Sequence, residues 1–110
     1  MLTEIRNLRL PMPRSANING SRGGKYIVPP SPEPLYRQLC RTRVDFYDHY
    51  LHADGTPSAK NIDNNLKILM DAVAKAYGID DRWLDWRLEL QKYVIDESVA
   101  PYCVVDIGRL

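Results

Sequence analysis

The sequence predicts an α/β chain of the α+β kind: a small mixed sheet with two main helices packed on it. The predicted order is strand, helix, strand, helix, strand, strand. Three observations lead there. Residues 62–77 carry apolar side chains at helical spacing, and Gly78 follows as a stop. Residues 43–51 and 82–94 alternate with a period of two, the mark of strands with one buried face. The 110 residues suffice for one compact domain, taken as 1–110, with a modest core.

Taken in order, Thr3–Leu10 reads as a strand, with Ile5 and Leu8 or Leu10 as buried contacts, ended by Pro11 and Pro13. Ser15–Pro30 reads as a long loop rich in Asn, Gly and Arg. Ser31-Pro32-Glu33 resembles a helix start, with a capping serine, a proline in the first turn and an early acid. That first helix is expected to reach about Arg41 and to bury Leu35, Leu39 and Cys40.

Arg43–Leu51 is the second strand, with Val44, Phe46, Asp48 and Tyr50 on one face. His52–Lys60 is a polar loop with an Asp54-Gly55 turn. The second helix follows, its apolar stripe made of Ile62, Leu66, Leu69, Met70, Val73 and Tyr77. Arg82–Val94 is the third strand. Leu84, Trp86, Leu88 and Leu90 form its apolar face, which places Trp86 in the core and Trp83 against a helix or a dimer interface. Asp96–Ala100 is a turn and Pro101–Ile107 the last strand.

Composition bounds the function. No apolar run nears the ~20 residues of a membrane-spanning helix, and residues 1–13 lack the continuous apolar stretch of a signal peptide. Cys40 and Cys103 lie far apart without metal-ligand spacing, so an intracellular protein with two free thiols is expected. Net charge is +1, but it is unevenly spread. Residues 1–43 carry eight basic and two acidic groups, whereas the remainder carries seven basic and twelve acidic groups. A basic half and an acidic half suit a site where carboxylates hold a metal and arginines hold phosphates. They equally suit two solvated surfaces.

The candidate chemistry lies on the second helix. Asp63, Lys67 and Asp71 are spaced by four and share one stripe beside the apolar one. Alone, such a ladder is an ordinary solvated face. Asp80-Asp81 follows the helix, and a reversal at Gly78 brings an acid back toward it. Gathered carboxylates bind hard divalent cations through oxygen, and such a cation activates water.

These residues together resemble the RusA family of Holliday-junction endonucleases. The run Asn61-Ile62-Asp63-Asn64, then Lys67, Asp71-Ala72-Val73, Gly78 and Asp80-Asp81 follows the family's pattern of acid-x-Asp-Asn, lysine, Asp-Ala-aliphatic, glycine and paired acids. Leu10-Pro11-Met12-Pro13, Ser15 and Asn17 match its proline turn and Ser/Asn loop. The resemblance spans nearly the whole chain. It implies a cytoplasmic, bacterial or phage-encoded homodimer that cuts four-way DNA junctions with Mg2+ or Mn2+.

By that resemblance, Asp63 and Asp81 are metal-binding catalytic carboxylates, Asp80 is a further candidate ligand and Lys67 is the catalytic lysine. Asn64 supports the first helical turn or the metal's surroundings. Asp71 is expected to be a structural partner of Lys67. Arg14, Asn17, Arg22, Lys25 and Lys60 are expected to contact DNA. Asn61 stands where the family has a catalytic acid. It offers an oxygen but no negative charge, so metal affinity should fall. Asp48, His52 and Asp54 are candidates to compensate. Two further readings follow: a branched-DNA-binding protein whose catalysis is impaired, and a small dimeric interaction protein without a nucleic-acid role.

Overall fold

A computed structural model describes residues 1–13 and 26–110. They form an α+β arrangement of four strands and one main helix. The strands are β1 (Ile5–Pro11), β2 (Cys40–Asp48), β3 (Arg87–Val94) and β4 (Tyr102–Arg109); the helix α1 is Asp63–Ala76. The strand order is β1-β4-β2-β3. β4 runs antiparallel to β1 and β2, whereas β2 and β3 are parallel. A parallel neighbour needs a crossover, and α1 lies within it.

Alternation in β2 fixes which face is buried. Thr42, Val44, Phe46 and Asp48 point inward and are joined by Tyr50 beyond the strand end. Cys103, Val105 and Ile107 of β4 and Leu69, Met70, Val73 and Ala74 of α1 complete the core. Those helix positions are spaced by three and four, so one stripe meets the sheet. Gly78 adopts φ +64. The amide of Ile79 donates to the carbonyl of Ala74 (3.0 Å) and that of Gly78 to Lys75 (3.3 Å), which closes the helix in a Schellman-type turn.

The expected first helix is absent: residues 31–39 are extended and bent. Pro32 and Pro34 explain this. Each bars the preceding residue, Ser31 and Glu33, from helical backbone angles. The segment bonds to distant partners instead. The Ser31 amide donates to Ala76 (2.9 Å), Leu35 to Tyr77 (2.9 Å) and Tyr36 to Leu2 (2.6 Å). Leu35 and Cys40 are buried as expected, but Leu39 is partly exposed.

The third strand also begins later than expected. Asp81–Trp83 forms a short 3-10 turn, because the Asp80 side chain accepts the Arg82 amide at 3.0 Å. Local capping of this kind competes with a strand ladder. Leu84 is fully buried, whereas Trp86 is 58% exposed and so is not a core residue. Its indole N–H donates to the Arg82 carbonyl (3.0 Å). No helix of the described residues is long and apolar enough to cross a membrane.

Candidate functional site

The helix, the turn after it and the start of β3 enclose a groove of about 400 Å3. Leu66, Met70 and Leu88 give it apolar lining; Asp63, Lys67, Asp71, Asp81, Arg82 and Asp85 give it charge. Periodicity sets the first part of this list. Asp63, Lys67 and Asp71 rise along one stripe of α1, next to the buried one. The Gly78 reversal sets the rest by returning Asp81 to the groove wall.

The two acids after the helix have separate fates. Asp80 caps the 3-10 turn, and the Arg82 amide holds its carboxyl below the ordinary carboxylate range. It does not line the groove. Asp81 does. Its carboxyl is held above the ordinary range, first by a hydrogen bond shared with the Asp71 carboxyl, then by desolvation and by the charges of Asp71 and Asp80. Asp71 therefore faces Asp81, not Lys67 as the sequence suggested.

Asn61 is outside the groove lining. Its Oδ1 accepts the Asp63 amide (2.8 Å) and so supports the start of α1. The candidate compensators do not enter either. Asp48 is tied to Lys60 Nζ (3.0 Å) and accepts the His49 amide (2.6 Å). Asp54 accepts the Thr56 amide and hydroxyl, and His52 is not part of the groove lining. Lys60, expected on DNA, thus has its charge matched by Asp48, with its side chain about half exposed. Arg14, Asn17, Arg22 and Lys25 lie outside the described residues.

Arg82 and Asp85 are groove residues that the sequence did not point to, and Asp71 was expected only as a structural partner of Lys67. For Asp71 the signal was its place on the Asp63–Lys67 stripe. For Arg82 and Asp85 there was none, because a strand reading hides a turn that curls back on the helix.

The donor set is oxygen-only, which suits Mg2+ or Mn2+. Two carboxyls in contact, with Asp81 pushed up in consequence, are a pair that a divalent cation would relieve. Among the described residues no group of three or more His, Cys, Asp or Glu stands close enough to hold a metal by itself. Mg2+ commonly takes one or two carboxylates and completes its shell with water and substrate phosphate, so the residues fit a site finished by substrate.

Comparison of the chain with known protein families, characterised proteins and solved structures gave no match. The functional reading therefore stands on the groove and on the sequence pattern.

Proposed function

We propose that the chain is a structure-selective endonuclease of the RusA kind, hydrolysing phosphodiester bonds in four-way DNA junctions with Mg2+ or Mn2+. The observation that supports it best is convergence: Asp63, Lys67 and Asp81, singled out by the motif, line one groove together. A solvated ladder needs no such return of Asp81.

In this reading Asp81 and Asp71 would hold the cation, with Asp63 in the same groove lining. A divalent cation held by these carboxylates would supply Lewis acidity for activating water and for offsetting charge on a phosphate. Lys67 places its ammonium where a scissile phosphate enters and stabilises charge on its oxygens. Leu66 and Met70 give one side of the groove an apolar wall. Arg82, at the groove rim, adds a second cation for the DNA backbone.

The test is nicking of a synthetic four-way junction with either metal. Asp63→Asn, Lys67→Ala and Asp81→Asn should each lower the rate by at least ~100-fold, a loss in the range of a removed electrostatic contact. Absence of cleavage with both metals would sink the active-enzyme reading. The second reading, a junction-binding protein with impaired catalysis, rests on the neutral Asn61. It is favoured if branched DNA binds in preference to linear duplex without being cut.

A further inference from the structure

α1 packs on one face of the sheet, where Leu69 and Val73 join the core. The other face carries a row of tyrosines. Alternation along β2 turns Phe46 and Asp48 into the core and Tyr47, between them, outward. Tyr47 pairs with Tyr93 of β3 on one side and with Tyr102 of β4 on the other. The three rings stack in a column, with centroids 4.7 Å and 4.5 Å apart and planes within 12° of parallel. The Arg9 guanidinium lies 3.7 Å from the Tyr102 centroid and closes that end. Arg43 donates to the Tyr93 hydroxyl (3.3 Å) and holds the ring at the other end. β3 is an edge strand, so no ring of the sheet stands beyond Tyr93, and the column ends there on an open aromatic face.

The charges on this face are organised as well. Arg41 precedes Tyr47 on β2 by an even number of residues and so shares its face. At ~3.3 Å per residue the two stand about 20 Å apart. Gly108 of β4 is the cross-strand partner of Arg41, and the Arg41 Nη2 atom lies 3.9 Å from where a Cβ would stand there. The guanidinium borders a hollow of about 130 Å3. The acids of that hollow are already engaged. Glu4 pairs with Arg6 (3.1 Å), Glu89 pairs with Arg43 (3.6 Å), and Asp106 accepts the Asn7 amide (2.6 Å). Among the described residues neither Arg41 nor Arg9 is in a salt bridge.

We infer that this face binds a single, unpaired strand of nucleic acid, with a base stacked on the outer face of Tyr93 and a phosphate at Arg41. The column ends on a free π-face, and an unpaired base is a planar group that extends it, whatever its sequence. The unmatched guanidinium takes an anion, and its planar fork fits phosphate oxygens. The distance between the two points requires a ligand that repeats planar groups and charges along a chain.

Cross-strand stacking by itself stabilises a sheet, but stability calls for neither the open ring nor the unmatched arginine. Duplex DNA does not suit this face, because its bases are stacked on both sides and offer no plane to Tyr93. The site is also separate from the groove, which lies on the α1 side of the sheet with Leu66, Met70 and Leu88.

Fluorescence anisotropy on the full chain tests this, in EDTA so that no strand is cut. A labelled oligothymidylate of about fifteen nucleotides, long enough to cover an OB-fold-sized site, should bind. An abasic deoxyribose-phosphate strand of equal length keeps the charge and lacks the bases; it should bind at least ~10-fold more weakly, the share of one base–aromatic stack. The oligothymidylate annealed to its complement should be weakened at least as much. Tyr93→Ala should cost ~10-fold for the oligothymidylate and nothing for the abasic strand, whereas Tyr93→Phe, which keeps the ring, should bind as the parent does. Arg41→Gln should weaken both strands and lower the slope of log affinity against log salt by about 0.7, the share of one phosphate on a single strand. An oligouridylate that binds in place of the oligothymidylate supports the site and assigns the sugar. Equal affinity for the abasic strand or for the duplex overturns the inference, as does full binding by a folded Tyr93→Ala. The inference is independent of the nuclease reading: a chain that holds the unpaired strand and cuts no junction rejects that reading alone, and one that nicks junctions without distinguishing bases from abasic strand rejects this one alone.

Discussion

The Thr42 hydroxyl donates to the carbonyl of Leu84 at 2.5 Å, joining the first half of β2 to the segment that carries Asp81. Thr42 and Leu84 are both fully buried. A buried carbonyl that loses its donor costs about 1–3 kcal/mol. Thr42→Val keeps the shape and removes the donor, so it should lower unfolding free energy in urea by that amount. Because the bond anchors the Asp81 turn, junction cleavage should fall as well. Unchanged stability would show that the bond does not hold the turn.

Asp71 and Asp81 set a pH dependence whose sign can be worked out. The folded-state pKa of Asp81 lies above its ordinary value, chiefly through the Asp71 carboxyl. The folded state therefore retains a proton that the unfolded chain releases. This contribution is fully present below the ordinary carboxylate pKa and is lost as pH rises through the raised value. At neutral pH the pair is a repulsion. Asp71→Asn should raise the melting temperature there by a degree or two, consistent with about 0.5 kcal/mol for an exposed charge pair. It should also flatten the stability–pH curve across that window. Thermal scans from pH 3 to pH 7 would check both. A lower melting temperature at pH 7 would contradict the repulsion.

Asn61→Asp is the informative gain-of-charge variant. The side chain would keep its bond to the Asp63 amide and place a negative charge at the start of α1, which favours the helix by about 0.3–1 kcal/mol. Stability should hold or rise slightly. If the family's acid position acts on the metal in this chain, metal-dependent nicking should increase at least ~10-fold, although the side chain lies outside the groove lining. An unchanged rate would mean that Asn61 only closes the turn that leads into α1.

Gly78→Ala probes the end of the helix. The new methyl group would sit 3.5 Å from Pro34 Cβ, an ordinary contact. The cost comes from the backbone at φ +64, and should be about 1–2 kcal/mol in urea unfolding. Asp81 depends on that reversal for its position, so cleavage should drop in parallel.

Local rules made much of the fold legible. The stripe of Leu69, Met70 and Val73 predicted α1, Gly78 predicted its end, and the alternation at Val44, Phe46 and Asp48 predicted β2. What failed was decided at a distance or by competition. Ser31-Pro32-Glu33 has a helix start's composition, but its amides are taken by Ala76 and Tyr77 across the chain. Leu84 and Trp86 share a strand-like alternation, yet the Asp80 cap turns the chain first, leaving one buried and the other in solvent. At the candidate site, helix spacing gave Asp63, Lys67 and Asp71. The Asp71–Asp81 contact depends on how tightly the chain reverses, which no local pattern encodes.

The single parallel pair in the sheet has a consequence for how the molecule breathes. β1, β4 and β2 are knit by two antiparallel ladders, but β3 is held by one ladder closed through a long crossover. β1 and β3 are thus the two strands held by one ladder each, and β3 carries Leu88 of the groove lining with it. Amide exchange should protect the inner strands β2 and β4 far longer than the edges β1 and β3.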